Sequence, residues 1–250
     1  MVNKNIVVDN ILLNYYFRKS RQSKKTVVFL HGWGVDSRLW FKLLPLLGDN
    51  YDLYFIDLPG FGKSQTPKDA IDLDKYSDLV VDFSKKIGLK KFSLVGHSFG
   101  GRIAIKIASK NPGFLDKLVL VDSAGIKNVS LSIKSKQLFA KIIKPFFVPS
   151  FMQAARQKIY HFIGSEYLDI SGLSKIFSKV VSENLLPELS KIKKRTLLVW
   201  GEKDSTTSLK DAFIMKDMIS DSKLVILEKS GHFSFLDEPE KFAKAIIDFV

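Results

Sequence analysis

The stretch 92-FSLVGHSFGGRIAI-105 decides how the rest of the chain is interpreted. An apolar run of strand length leads into Gly96, Ser98 and Gly100, and a helical pattern follows at once. Packing alone does not require glycines there, but glycines two positions before and after a serine let a strand and a helix approach without a Cβ clash. In this context the pattern G-x-S-x-G presents a serine on a sharp, strained turn. The sequence therefore predicts that Ser98 is a nucleophile.

Length and composition indicate a folded protein with one large core. The 250 residues fit a single domain with an insertion, and 46% of them are hydrophobic. No segment approaches about 18 uninterrupted apolar residues, and the N-terminus carries no apolar run typical of a signal peptide. We therefore expect a cytoplasmic protein without a membrane span. Because the chain has no cysteine, disulfides, thiolate metal sites and cysteine nucleophiles are excluded.

Apolar runs of strand length recur along the chain and alternate with amphipathic helical segments. The runs lie at 11–17, 26–32, 53–57, 92–96, 117–122, 196–201 and 223–228. The helical segments lie near 38–47, 74–88, 98–110, 209–219 and 239–249. Strands that are apolar on both faces and alternate with helices are typical of a mostly parallel sheet covered on both sides. Such sheets carry their sites at the carboxyl ends of the strands.

The alternation breaks once, in a stretch of helical pattern without a clear strand. We predict that residues 126–190 form a helical cap over the strand ends, and that residues 1–125 and 191–250 form the α/β core. From Lys127 to Arg195 there are 13 basic and 4 acidic residues, which accounts for +9 of the net charge of +13. One hypothesis is that an acidic partner or substrate, such as an acyl group on a carrier protein, docks at this basic cap.

The competing interpretation of the charge is a compositional bias towards lysine. Only six of the 39 basic residues are arginine. Arginine is the preferred side chain for forked contacts with phosphates and bases, so a lysine-dominated excess is poor evidence for nucleic-acid binding. We therefore expect no nucleic-acid partner.

A serine hydroxyl needs a base to take its proton, and one of the four histidines is well placed for that role. His232, in KSGHFSFLDEP, follows the last strand and precedes the last helix, so it lies at the carboxyl edge of the sheet. His97 should point away from Ser98, His31 ends an earlier strand, and His161 lies in the predicted cap. His232 is therefore the candidate base.

The base needs an acid that orients its ring. Asp204, in LLVWGEKDSTT, follows the strand at 196–201 and is the candidate, which gives the chain order serine, acid, histidine. The rival is Asp122, at the end of an earlier strand. We interpret Asp237 as a helix-start residue because EPE follows it at once.

An oxyanion formed by serine attack on a carbonyl needs two backbone donors. The N–H of Phe99 lies at the first turn of the helix after Ser98, where the helix dipole assists it. The second candidate is the N–H of Trp33, which has a glycine on either side in 31-HGWG-34. Phe99 and Trp33 are therefore the predicted oxyanion donors.

The segment 60-GFGKS-64 ends like a phosphate-binding loop of the pattern G-x-x-x-x-G-K-[ST]. The first glycine of that pattern would stand where this chain has Asp57, and a carboxylate there would repel a phosphate. This argues against an NTPase.

Arg102 lies four residues after Ser98 on the same helical face and could reach an anionic substrate. The favoured alternative is a structural ion pair with Asp57 or another acid, because a buried arginine is usually paired.

Together these motifs resemble the α/β-hydrolase superfamily in its capped branch, over nearly the whole chain. HGWG, DLPGFGKS, GHSFGG, LVWGEKD and SGHFSFLDEP are similar, in order, to that family's oxyanion loop, post-strand turn, nucleophile turn, acid loop and histidine loop. The resemblance implies a mostly parallel eight-stranded sheet with helices on both faces and a helical cap. It also implies a Ser98–His232–Asp204 triad with Trp33 and Phe99 as oxyanion donors.

The activity that this resemblance implies is that of a serine hydrolase without a metal or organic cofactor. Family members that use a carboxylate nucleophile are excluded by Ser98. Hydrolysis of a carboxylic ester, with a small-molecule acyl substrate, is the first expectation, by analogy alone. Thioester hydrolysis and carbon–carbon bond hydrolysis on the same triad are alternatives, as is a non-catalytic ligand-binding protein on the same scaffold.

Overall fold

A computed structural model describes residues 1–22, 25–126 and 170–250 of the chain. The described residues contain an eight-stranded sheet with the order β1-β2-β4-β3-β5-β6-β7-β8. The strands are β1 (Val2–Val8), β2 (Ile11–Arg18), β3 (Thr26–Leu30), β4 (Asp52–Ile56), β5 (Phe92–His97), β6 (Leu115–Val121), β7 (Thr196–Gly201) and β8 (Ser222–Leu227). Pairing is antiparallel between β1 and β2 and between β2 and β4, and parallel elsewhere.

Helices connect and cover the strands. They are a 3-10 helix (Ser37–Leu43), α1 (Leu44–Leu47), α2 (Leu73–Lys86), α3 (Phe99–Ser109), α4 (Ile170–Ser182), α5 (Leu186–Leu189), α6 (Leu209–Met218), α7 (Ser234–Asp237) and α8 (Pro239–Phe249). The start of α2 shows how local chemistry sets a boundary: the side chain of Asp72 accepts a hydrogen bond from the N–H of Lys75. From there α2 buries one face, at Leu73, Tyr76, Leu79, Val80 and Phe83.

Alternate residues of the central strands pack into two separate cores. In β3, Val28 belongs to the core that α2, α3, α4 and α6 cover, whereas Phe29 belongs to the core under the 3-10 helix, α7 and α8. The same alternation is found in β4 and β6. Because both strand faces are buried, these strands are apolar over most of their length. The prediction of a mostly parallel sheet with helices on both faces is confirmed.

Each of the seven apolar runs overlaps a strand, but the pattern missed β1. Its sequence VNKNIVV has no clean alternation, because β1 is an edge strand and its first four residues are exposed. It pairs in register with β2, from Val2 opposite Phe17 to Val8 opposite Ile11.

Of the predicted cap, the structure describes residue 126 and residues 170–190. These include α4 and α5, and α4 buries Leu173, Ile176 and Val180 in the core that also contains α2 and α3. Two parts of the predicted cap lie outside the described residues. They are the apolar residues between 139 and 152, most of which we expect to pack the cap against the core, and His161. The division into core and cap stays a prediction. Within the described ranges, no helix combines the length and apolar character that a bilayer crossing needs.

Candidate active site

Ser98 stands on a strained turn between β5 and α3. Its backbone has φ +50° and ψ −108°, a left-handed φ that side chains rarely adopt. A Cβ added to Gly96 would lie 2.5 Å from the carbonyl oxygen of Gly100, and one added to Gly100 would lie 2.6 Å from that of Leu30. The turn therefore requires both glycines. The N–H of Ser98 donates to the carbonyl of Val121 at 3.0 Å, which fixes the turn to the end of β6.

The structure brings His232 to the serine across 134 positions of sequence. Nε2 of His232 lies 3.0 Å from Oγ of Ser98, and Nδ1 lies 2.8 Å from Oδ2 of Asp204. The imidazole is held in the loop 228–233 between β8 and α7, which we call the histidine loop. The serine, imidazole and carboxylate that the sequence proposed thus form one continuous chain of polar contacts.

Asp204 lies in the loop 202–208 between β7 and α6, which we call the acid loop. Its Oδ1 accepts from the N–H groups of Thr206 at 2.7 Å and Thr207 at 3.0 Å, and its Oδ2 lies 2.6 Å from the Thr207 hydroxyl. Burial acts to raise the pKa of Asp204. The hydrogen bond and charge of His232, with the Thr207 bonds, outweigh burial and lower that pKa below its usual value. The carboxylate is therefore held ionised beside the imidazole.

Asp122, the rival acid, bonds to other groups. Its Oδ1 accepts from the N–H of Gly201 at 2.8 Å, and its Oδ2 accepts from the N–H and hydroxyl of Ser234 at 3.1 and 2.5 Å. Asp122 is fully buried, and burial raises its pKa to about 7 against these hydrogen bonds. The Asp122 carboxylate ties the end of β7 to the start of α7, and the Nδ1 of His232 faces Asp204 instead.

The two candidate oxyanion donors lie on adjoining segments. A Cβ added to Gly32 would lie 3.4 Å from Cβ of Ser98, so the loop after β3 passes next to the serine. The ring of Trp33 packs edge-on against that of Phe99, with centroids 5.1 Å apart. Among the described residues, no acceptor is found for the N–H of Trp33 or of Phe99.

The rings around Trp33 form an aromatic group beside the serine. Besides Phe99, the indole contacts Phe61 and Phe177, with centroid distances of 4.8 and 5.0 Å. Phe177 belongs to α4, so the described end of the predicted cap touches the loop that carries Trp33.

Arg102 does not pair with Asp57, the acid named from the sequence. Asp57 bonds to Asn14, Ser37 and Lys63 instead. The guanidinium of Arg102 donates to the main-chain carbonyl of Glu183, beyond the end of α4. Burial lowers the pKa of Arg102 to about 10.

The segment 60–64 is a turn built around an acid. Asp57 accepts from the N–H of Lys63 at 2.9 Å, and a Cβ added to Gly62 would overlap the Asp57 carboxylate. This arrangement agrees with the sequence argument against a phosphate-binding loop.

Asp237 does not start a helix. It is the last residue of α7, and its carboxylate accepts from the N–H of Gly231 at 2.8 Å, while Glu238 precedes α8. The sequence EPE marked the right boundary, but Asp237 braces the histidine loop.

Two residues that support the site were missed by sequence reasoning. Thr207 bonds to Asp204 and lies 3.3 Å from Nδ1 of His232, and Ser234 bonds to Asp122. The hydroxyl residues of DSTT, directly after the acid, were an available signal for Thr207. Nothing in the sequence pointed to Ser234, because its partner lies 112 positions away.

The other described histidines lie apart from the serine hydroxyl. His31 donates from Nδ1 to the carbonyl of Gly32 and accepts at Nε2 from the N–H of Leu58, and burial lowers its pKa. His97 contacts the main chain of His232 through Nε2 at 2.8 Å.

Among the described residues, no group of three His, Asp or Glu side chains is arranged to hold a metal ion.

Comparison with known proteins gives one consistent family. Residues 27–245 match the model of the alpha/beta hydrolase family. The chain is 27% identical over 263 residues to the human protein named monoacylglycerol lipase ABHD6, covering 94% of this chain and 78% of that one. It is 28% identical over 260 residues to the pimeloyl-[acyl-carrier protein] methyl ester esterase of Wigglesworthia glossinidia brevipalpis, covering 94% and 97%. The solved esterase EaEST of Exiguobacterium antarcticum superposes with a TM-score of 0.81 at 24% identity, covering 99% of both chains.

Proposed function

The chain belongs to the alpha/beta hydrolase family, and from that premise we propose that it is a serine hydrolase that cleaves carboxylic esters through an acyl-enzyme on Ser98. The observation that carries the proposal is the unbroken contact from Ser98 Oγ through His232 to Asp204, at 3.0 and 2.8 Å. The names of its relatives, a lipase and an ester esterase, support the same reaction class.

In the first half of the reaction, Oγ of Ser98 attacks the ester carbonyl carbon while Nε2 of His232 takes the hydroxyl proton. Asp204 accepts from Nδ1–H, which leaves Nε2 as the free base and stabilises the imidazolium that forms. The negative charge on the carbonyl oxygen is bound by the N–H groups of Trp33 and Phe99, the latter at the positive end of α3. When the carbonyl reforms, the alcohol leaves with the proton from His232.

In the second half, water attacks the acyl carbonyl of the ester on Ser98. His232 now takes a proton from that water, and the same two N–H groups bind the second oxyanion. Collapse returns the proton to Ser98 Oγ and releases the carboxylic acid. Every proton transfer passes through Nε2 of His232, which is why its distance from Ser98 governs both halves.

Labelling with a fluorophosphonate probe tests the proposal directly. The wild-type protein should form a covalent adduct that is absent in Ser98→Ala, and it should hydrolyse a short p-nitrophenyl ester. A wild-type protein that is folded but neither labels nor turns over would instead favour a non-catalytic binding protein on this scaffold.

The acyl group and the leaving group are tested by a substrate panel. Esters of graded acyl length should be turned over with a clear optimum, because the aromatic group formed by Trp33, Phe61, Phe99 and Phe177 lies beside the serine. Thioesters and substrates for carbon–carbon bond hydrolysis use the same triad, so they belong in the same panel. If one of them exceeds every ester in kcat/KM, the ester assignment is replaced.

We also propose that an acyl carrier protein can present the substrate at the basic cap. One relative is named for an acyl-carrier ester, and Lys175 and Lys179 are exposed on α4, near the Phe177 that touches Trp33. A carrier-bound methyl ester should show a lower KM than the same free ester, and the advantage should shrink as salt rises from about 0.05 to 0.3 M. Lys175→Glu should raise that KM, whereas Lys4→Glu, on the edge strand β1, should not.

A further inference from the structure

His97, the last residue of β5, is buried against the histidine loop, and no step of the proposed reaction uses it. Only 1% of its surface is exposed. Its Nε2 lies 2.8 Å from the main-chain carbonyl oxygen of His232. Because a carbonyl oxygen only accepts, Nε2 must carry the hydrogen and donate it. The contact therefore fixes the tautomer of His97.

The other ring nitrogen of His97 faces the loop after β3. A Cβ added to Gly32 would lie 2.8 Å from Nδ1, and within the described chain Nδ1 has no hydrogen-bond partner. Burial, and then the charge of His232, lower the pKa of His97 to about 3. The ring is therefore neutral at the pH values at which a serine hydrolase works, with a bare Nδ1 beside Gly32.

The ring of His97 is also wedged between aromatic neighbours. Its centroid lies 4.9 Å from that of His232 and 5.1 Å from those of Phe233 and Phe235, and the indole of Trp40 meets it edge-on at 6.3 Å. All three of the nearer rings belong to the histidine loop or α7. The histidine loop thus rests on a side chain adjacent in sequence to the nucleophile.

We propose that His97 is a positioning residue for the hydrolysis: its Nε2–H holds the carbonyl of His232, and so keeps the catalytic imidazole at hydrogen-bond distance from Ser98. The kinetic consequence rests on the proposed function, whereas the tautomer and the contact do not. One strand end carries both the nucleophile and the group that positions its base, so movement of the histidine loop relative to Ser98 is restrained. A displacement of about 1 Å at such a contact can cost about 100-fold in rate.

The test separates the donor from the bulk of the ring. In His97→Leu the donor is lost and an apolar side chain remains, so kcat for a p-nitrophenyl ester should fall about 10- to 100-fold with little change in KM. His97→Gln places an amide N–H at a similar reach, and kcat should return to within about 5-fold of the wild type. Trp40→Phe loosens the packing on the same ring but keeps the donor, so its melting temperature should fall while kcat stays within about 3-fold.

Two results would overturn the inference while leaving the proposed function intact. One is a folded His97→Leu with wild-type kcat; the other is a His97→Gln whose kcat is no higher than that of His97→Leu.

A readout independent of activity is the ¹⁵N–¹H spectrum of the imidazoles between pH 5 and 9, which should show His97 neutral with hydrogen on Nε2. Hydrogen on Nδ1, or a charged ring, would contradict the inference even if hydrolysis is established. Failure of the wild type to hydrolyse any ester would instead count against the proposed function.

Discussion

At the scale of single residues, two buried carboxylates lie near His232 and differ in what they bond. Asp204 meets the ring nitrogen, whereas Asp122 meets Gly201 and Ser234. Both follow a strand at the same edge of the sheet, so chain order alone left the choice open. The contacts of each carboxylate favour Asp204 as the acid of the proposed reaction.

The first prediction contrasts these two acids. Asp204→Asn should lower kcat for a p-nitrophenyl ester by about 10³- to 10⁴-fold, because the amide favours the wrong imidazole tautomer. Asp122→Asn should lower kcat less than about 10-fold. It should cost about 1–3 kcal/mol of stability, because the new amide turns an N–H towards a main-chain N–H. Steady-state kinetics and urea unfolding of both variants check this. An equal loss of kcat in the two would move the acid role towards Asp122.

The second prediction concerns the pH dependence of stability at Asp122. Its pKa is raised from 3.8 to about 7 in the fold, so the native state binds the proton more tightly than the unfolded chain does. This group's contribution is therefore most favourable below about pH 4 and is lost as pH rises through about 7. Compared with Asp122→Asn, the wild type should lose free energy of unfolding between pH 4 and 7.5, as measured by denaturant titration. A pH-independent difference would contradict the shifted pKa.

At the scale of elements, the turn from β5 to α3 depends on close contact between main chains. A Cβ at Gly100 would lie 2.6 and 2.7 Å from the carbonyl oxygens of Leu30 and His31, and neither can move without shifting β3. The turn is therefore built from two strands and a helix together.

The third prediction follows from this contact. Gly100→Ala should cost at least about 2 kcal/mol of stability and reduce fluorophosphonate labelling, because Ser98 shares the turn. Gly113→Ala is the matched control, since nothing lies within 4 Å of an added Cβ there, and its effect should stay within about 0.5 kcal/mol. Thermal unfolding and labelling rates check the pair, and equal stability of the two variants would show that the turn tolerates a side chain.

The fourth prediction concerns the turn around Asp57. Gly62 and Gly88 both have left-handed φ values, +57° and +78°, so each change to alanine should cost about 1–2 kcal/mol from the backbone alone. An added Cβ meets the Asp57 carboxylate at Gly62 and nothing within 4 Å at Gly88. Gly62→Ala should therefore be the more destabilising variant in denaturant unfolding. Equal losses would mean that Asp57 adjusts freely.

At the scale of the whole molecule, one sheet separates two cores that its strands share. Phe83 of α2 and Phe242 of α8 are fully buried in different cores. Since alternate residues of the same strands line both cores, the two cores should unfold together in one transition.

The fifth prediction tests this shared sheet. Phe83→Ala and Phe242→Ala should each cost about 3–5 kcal/mol and lower the midpoint of a single unfolding transition. The double variant should be additive within about 0.5 kcal/mol, because the two side chains contact different clusters. Differential scanning calorimetry checks the prediction. Two separate transitions in either variant would mean that the cores unfold independently.

Much of the fold was predictable because its signals are local. The strands β3 to β7 are mostly apolar, since burial of both faces excludes polar side chains from most of their positions. The strands β2 and β8 are less buried but still contain apolar runs. β1 was not predictable in this way, because its first four residues are exposed and VNKN has no apolar pattern. The glycines around Ser98 likewise predicted a turn, because no other residue type fits at Gly96 and Gly100.

The sequence by itself determined the alternation of strands and helices, the turn at Ser98 and the short set of residues able to do acid–base chemistry beside it. Only the tertiary structure decided which polar groups meet: Asp204 rather than Asp122 at His232, Glu183 rather than Asp57 at Arg102, and His97 under the histidine loop. The physical reason is the distance along the chain over which each kind of signal acts. Apolar periodicity and glycine geometry act within a few residues, whereas a hydrogen bond depends on ångström-scale distances between segments far apart in the chain.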